Sequence, residues 1–201
     1  MKHGAILLAA GRGTRYCGLK QDEFFHGKPL WRYPYDALAS ALGTDNLIAV
    51  GKDIPGGETR AESVFNGLKA LNPETDRVII AEAARPMLKA EQVLQLMNDS
   101  HPSVSFVRPF VNAVIFRDGR YINRNELYES LAPQAFDYKL LFQAHSSEKY
   151  KDSLEDTELM FKFHGIKPHF IETEANLFKV TYPGDMEIIE VIHRSIYVNA
   201  N

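Results

Sequence analysis

The run Leu8-Ala9-Ala10-Gly11-Arg12-Gly13-Thr14-Arg15, continued by Tyr16-Cys17-Gly18-Leu19-Lys20, carries the residue types best suited to chemistry. Glycines at 11 and 13 let a backbone pass close to a ligand, and successive N–H groups there can form an anion-binding concavity. Arg15 and Lys20 add full positive charges where backbone dipoles alone would meet a dense anion only in part. A polyphosphate suits that combination; a strand-to-loop turn with solvated Arg and Lys is the plainer reading of the same residues. Two common phosphate loops are excluded by spacing. The dinucleotide fingerprint needs a third glycine at position 16, which is Tyr, and no Gly-Lys-Ser/Thr of a Walker loop occurs.

Three further segments carry candidate groups. In Gly56-Gly57-Glu58-Thr59-Arg60-Ala61-Glu62-Ser63, two glycines lead into a helix whose first turn offers free N–H groups, the Ser63 hydroxyl and Arg60. A flexible loop with a helix cap explains it equally well. In Ile79-Ile80-Ala81-Glu82-Ala83-Ala84-Arg85-Pro86, the carboxylate of Glu82 stands at a strand end, where it could hold a divalent cation against phosphate oxygens or pair with Arg85. In Phe178-Lys179-Val180-Thr181, a lysine interrupts an apolar stretch and needs an anionic partner or a route to water.

These groups must be held by a fold. With 201 residues, 45% apolar and 24% charged, the chain suits one domain over 1–201. The net charge of −3 gives no electrostatic footprint for nucleic acid or an anionic membrane. One cysteine, Cys17, allows no intrachain disulfide and no thiolate zinc site. The apolar run near the start is too short for a signal peptide or a membrane span, so the default expectation is the cytoplasm.

Apolar runs at 5–9, 46–50, 77–81 and 104–107 read as strands, and helical patterns fill 30–42 (interrupted by Pro34), 61–71 and 90–97. Such alternation predicts an α/β fold with a mostly parallel sheet, helices on both faces, and ligands beyond the carboxyl ends of the strands. Loops 9–21, 51–60 and 81–88 would share that rim. Residues 110–124 break the pattern and read as a β-hairpin turning at Asp118-Gly119, either an edge hairpin or an arm toward a partner subunit. Helices over 137–145 and 155–164, strands over 169–171 and 177–181, and a helix after Pro183 complete the expectation.

Taken together, the blocks from Leu8 to Gly13, Arg15, Lys20-Gln21, Gly56-Gly57, Arg60, Ser63-Val64, Ala83-Ala84-Arg85-Pro86, Asn123-Arg124, Pro133-Gln134 and Lys179-Val180-Thr181 resemble the cytidylyltransferases that join CTP to a polyol phosphate. The 2-C-methyl-D-erythritol 4-phosphate and ribitol-5-phosphate enzymes are the best known of these. The resemblance implies a Rossmann-like nucleotidyltransferase domain and homodimerisation through the arm. It also implies attack by a substrate phosphate on the α-phosphorus of CTP with loss of pyrophosphate, aided by Mg²⁺ at Glu82. Carried over, Ala10, Gly11, Arg12 and Gly13 wrap the triphosphate, and Gly57, Arg60 and Ser63 hold the nucleotide. Arg85, Arg124 and Lys179 meet the second substrate, and Arg15, Lys20 and Lys179 serve as the catalytic cations.

The departures matter as much. Ala81-Glu82 replaces the family's His-Asp, Leu19 its Pro before Lys-Gln, Asn112-Ala113 its Asp-Thr on the arm, and Ala132 its Thr before Pro-Gln. Asn123 and Asn176 stand where it has Asp. Hydroxyls and acids lost on the acceptor side leave room for another phosphorylated alcohol or a phosphonate, because a site built on such hydrogen bonds discriminates strongly. A catalytically weak nucleotide-binding relative is the alternative class. A nucleotide-sugar glycosyltransferase would want an Asp-x-Asp metal motif, which does not occur.

Overall fold

The computed structural model describes residues 1–147 and 153–197. In chain order they form β1 (His3–Leu8), a 3-10 turn (Lys20–Asp22), a two-stranded ribbon of β2 (Phe24–Phe25) and β3 (Lys28–Pro29), α1 (Arg32–Leu42) and β4 (Leu47–Val50). There follow α2 (Arg60–Ala70), β5 (Arg77–Glu82), α3 (Ala90–Met97), β6 (Ser103–Pro109) and a hairpin of β7 (Val114–Ile115) and β8 (Tyr121–Ile122). The remainder is β9 (Tyr128–Asp137), α4 (Tyr138–His145), α5 (Asp156–His164), β10 (His169–Glu172) and α6 (Asp185–Tyr197). No described helix is long and apolar enough to cross a membrane.

Six strands form one sheet in the order β10-β6-β9-β5-β1-β4, parallel except for β9, which runs against both neighbours. The side-chain period of two sorts its residues between two faces. Ala5, Leu7, Ile79 and Ala81 point to a core shared with Leu38 of α1 and Val93 and Leu96 of α3. Ile6, Val78 and Ile80 point to the opposite core, which takes Val64 and Leu68 from α2 and Leu141 from α4. Strands buried on both faces read as continuous apolar runs, which is why β1 and β5 stand out in the sequence.

Three expectations need correction. β9 was not anticipated, because Pro133 argues against a strand; it is accommodated at a bulge, where the ladder with β6 jumps from Gln134 opposite Ser105 to Leu131 opposite Phe106. Residues 177–181 form no strand. They cross the strand ends as an extended segment tied by Val180 N–H to the Ala84 carbonyl at 2.8 Å. Pro34 does not interrupt α1 but sits in its first turn, where its missing N–H costs nothing.

A third, smaller cluster joins Phe25, Leu30 and Met87 to Val180 and to Ile189 of α6. It seats the extended segment and the ribbon on the sheet, beside the loop after β1. Helix α2 comes close to the sheet at Gly67, where a Cβ would lie 2.8 Å from Ile6 Cγ2, and Ile6 is fully buried. Gly67→Val should therefore overpack this contact and destabilise the fold by about 1–3 kcal/mol in urea unfolding; wild-type stability would show that α2 can shift freely.

Candidate active site

The carboxyl ends of β1 and β5 open into a cleft of about 410 Å³, within the range of roughly 300–1,000 Å³ usual for small-molecule sites. Its wall is the loop after β1, the start of α2, the end of β5, and the extended segment at Lys179 and Thr181. Ala10, Gly11, Arg12, Gly13, Arg15, Lys20, Gly57, Arg60, Ser63, Glu82 and Lys179 all line it, brought together from four separate parts of the chain.

The loop is folded on its own backbone. Gly13 adopts φ +61, and its carbonyl accepts from Tyr16 N–H at 2.9 Å and Gly18 N–H at 3.4 Å. A Cβ at Gly13 would lie 1.8 Å from the Gly18 carbonyl oxygen, so only glycine closes this turn. Buried Gln21 donates to the Gly11 carbonyl at 3.0 Å, pinning the other end. Carbonyls are thus directed into the protein, and the adjoining cleft wall carries the cationic side chains.

Lys20 Nζ donates to the Val180 carbonyl at 2.6 Å, which ties the loop to the extended segment. Burial lowers the Lys20 ammonium from its ordinary range, and the positive fields of Lys179 and Arg15 lower it further, against weaker pulls from Glu82 and Asp185. Two cations close enough to shift a third make a site charged in advance for a polyanion.

Glu82 meets that charge from below. Its Oε1 accepts from Lys179 Nζ at 2.7 Å and its Oε2 from Arg85 Nε at 3.0 Å. Burial by itself would raise this carboxyl; Lys179 and Arg85, helped by Arg60, overcome it and hold the group at about 2. Of the two sequence readings of Glu82, the pairing with Arg85 is present, and the carboxylate also lines the cleft.

At the start of α2, a capping box closes the helix. Thr59 Oγ1 accepts from Glu62 N–H at 3.1 Å while the Glu62 carboxylate accepts from Thr59 N–H. Ser63 Oγ accepts from Gly57 N–H and donates to the Thr59 carbonyl, both at 3.0 Å. Its hydroxyl therefore braces the loop, while Gly57 stays slim because a Cβ would come 2.2 Å from Glu62 Cβ. Arg60 is gripped by Asp156 of α5 at 2.7 Å, and the second Asp156 oxygen meets His145 of α4 at 2.8 Å.

Two expected residues do not join the cleft. Arg85 is buried, with its guanidinium spent on Glu82 and on the Leu177 carbonyl; it clamps the extended segment rather than facing a substrate. Arg124 sits exposed on the connection between β8 and β9, donating to the Val111 carbonyl, and does not line the cleft. Conversely, sequence reasoning passed over Gln21 as a brace and Asp156 as the anchor of Arg60. A lone acid at a helix start carries no signal of burial.

Asp156 is 2% exposed, and although burial raises it, Arg60 and then His145 hold its carboxyl at about 2. A carboxyl depressed below its unfolded value of about 3.9 stabilises the fold above that pH, and the contribution fades as pH falls toward about 2. Asp156→Asn should cost about 3 kcal/mol at neutral pH, the low end for a broken buried pair, because Arg60 keeps 34% of its side chain in water. Urea midpoints from pH about 7 to about 2 should fall less steeply in the variant; parallel curves would contradict the assigned role.

The sequence profile of IspD, 2-C-methyl-D-erythritol 4-phosphate cytidylyltransferase, matches residues 30–195. The chain is 33% identical over 214 residues to the Thermotoga neapolitana protein of that name, covering 94% of this chain and 95% of that protein. The Aquifex aeolicus protein of the same name is 31% identical over 209 residues, covering 94% and 96%. The crystal structure of 4-diphosphocytidyl-2C-methyl-D-erythritol synthase from Anaerococcus prevotii is similar with a TM-score of 0.78 at 26% identity, over 96% of this chain and 98% of that one. The bifunctional IspDF of Campylobacter jejuni has a TM-score of 0.81 at 24% identity, over 93% of this chain and 54% of that one, a likeness of fold. By its sequence, its sheet and the order of its cleft segments, the chain belongs to the IspD family.

Proposed function

We propose that the protein transfers CMP from CTP to 2-C-methyl-D-erythritol 4-phosphate and releases pyrophosphate. The observation that carries this reading is the convergence of Arg15, Lys20 and Lys179 over the glycine loop, with their mutual repulsion only partly relieved by Glu82. A phosphate oxygen of the acceptor attacks the α-phosphorus, a new P–O bond forms, and the bond to the β-phosphate breaks with its electron pair leaving on pyrophosphate. Such transfers depend on positioning and charge stabilisation rather than on a protein nucleophile. Arg12, Arg15 and Lys20 suit the triphosphate beside residues 10–13, while Lys179, at the far wall with Glu82, suits the approaching phosphate and the charge that develops at the α-phosphorus.

Glu82 fits Mg²⁺ as the protein's share of a donor set completed by substrate phosphates, the arrangement that ion usually adopts. Its Oε1 is shared with Lys179, whose side chain is 36% exposed and can swing toward an anion. Bound there, Mg²⁺ would neutralise phosphate charge and polarise the reacting phosphorus. The arm over 110–124 supports a homodimer, since Val111 and Tyr121 stand 80% and 77% exposed on it. Ala113 and Ala132, which lack hydroxyls, keep a second acceptor of the same kind, another polyol phosphate, in the test.

Pyrophosphate release should be fastest with CTP among the four nucleoside triphosphates, and with 2-C-methyl-D-erythritol 4-phosphate among a panel of polyol phosphates. Lys20→Ala and Lys179→Ala should each slow turnover about a hundredfold or more, as for lost transition-state charge stabilisation. Near-normal rates in both variants would remove the assigned roles. Sedimentation should give a dimer that Tyr121→Glu dissociates; a wild-type monomer would refute the arm's part.

A further inference from the structure

At the amino ends of β6 and β10, on the edge of the sheet opposite the cleft, three side chains from two distant parts of the chain meet. Asp99 and His101 lie in the turn between α3 and β6, and His169 opens β10. Asp99 Oδ1 is 2.7 Å from His101 Nδ1, and Oδ2 is 2.8 Å from His169 Nδ1. The two imidazoles stand face by face, centroids 4.0 Å apart with planes tilted 30°. One donor atom from each of the three residues falls within a circle of 4.8 Å.

We propose that Asp99, His101 and His169 form a binding site for a divalent transition cation of the Zn²⁺ class. Two imidazole nitrogens and one carboxylate oxygen select borderline cations over Mg²⁺ or Ca²⁺, which want oxygen throughout. The three donors are held before any ion arrives. His101 N–H bonds back to Asp99 Oδ1 at 2.9 Å, fixing the turn. Buried Arg77 grips the carbonyls of His101 and Leu96 at 2.9 and 3.1 Å. His169 is set by its ladder position opposite Val104.

With metal–ligand bonds of about 2.0–2.1 Å, tetrahedral donors stand about 3.3 Å apart. The two carboxylate–imidazole pairs, at 2.7 and 2.8 Å, therefore each need to open by about half an ångström for the ion to take the place of the bridging protons. In each neutral imidazole the proton that bridged from Nδ1 shifts to Nε2 by exchange with water, so binding to the neutral rings releases no net proton, and water completes the coordination. The Arg77 charge opposes the ion, and the Asp99 carboxylate offsets that opposition. The site would fasten edge strand β10 to the α3–β6 turn, and it takes no part in the cleft chemistry.

The test uses full-length protein without an affinity tag, stripped by a chelator and titrated with Zn²⁺ in a calorimeter at about pH 7.5, above the ordinary imidazole range. One equivalent should bind and raise the melting temperature, with Mg²⁺ in tenfold excess failing to compete. His101→Ala with His169→Ala, and separately His169→Gln, should weaken binding at least tenfold and abolish the thermal shift. His26→Ala with His193→Ala, at the other close histidine pair, should bind as wild type does. Absence of saturable binding up to about 1 mM, or unchanged affinity in the His101/His169 variants, would overturn the site and leave a hydrogen-bonded surface cluster. Cytidylyl transfer should be equal in all these variants, so a failure here is distinct from a failure of the proposed reaction.

Discussion

Everything in the cleft depends on how a carboxylate at the end of β5 is kept ionised where burial disfavours charge. Glu82 answers to two cations on opposite sides, Arg85 from its own turn and Lys179 from a segment 97 residues away. Holding its carboxyl at about 2 rather than near 4.5 represents about 3 kcal/mol of preference for the charged form. That preference is also a mechanical tie. Arg85 reaches from Glu82 to the Leu177 carbonyl, so carboxylate, guanidinium and extended segment are one unit.

The same unit explains why the cations remain poised rather than neutralised. Glu82 is one negative charge answering Lys179 and Arg85, while among the described residues Lys20 and Arg15 line the cleft without an ion-pair partner in contact, Lys20 donating to the Val180 carbonyl. Bringing an anion into such a place requires no rearrangement of dipoles, since loop, segment and helix start are already fixed by their own hydrogen bonds. Arg60 belongs to the same logic. Asp156, itself satisfied by His145, holds it from behind, so a residue in the cleft is aimed by two helices that do not line it.

How much of this was legible in the sequence follows from the range of each interaction. β1, β5 and the glycine loop were readable because burial on two faces and a turn at positive φ leave local signatures. The convergence of Arg15, Lys20 and Lys179 was legible only through motif order, since no local pattern links residues 160 positions apart. β9 was hidden because Pro133 speaks against a strand unless a bulge is already known. Residues 177–181 looked like a strand because they are mostly apolar, yet what buries them is the small cluster with Phe25 and Ile189 and, for Leu177, the main core, rather than a ladder. Arg85 misled for a related reason: an arginine near a strand end reads as a ligand contact until a buried partner is seen.

The arm leaves the sheet from a pair of strands that outlast their outer neighbours. β6 and β9 stay paired out to Pro109 opposite Tyr128, beyond the pairing of β10 with β6 at Val107 and of β5 with β9 at Gln134, and the hairpin follows that ladder. Whatever the tip touches therefore pulls on two central strands rather than on a loose loop. Residues gained or lost around Asp118-Gly119 would change its reach while the bulge at Pro133 keeps the register of the core. Arm length and the arrangement of the strand ends can then diversify at different rates within one sheet.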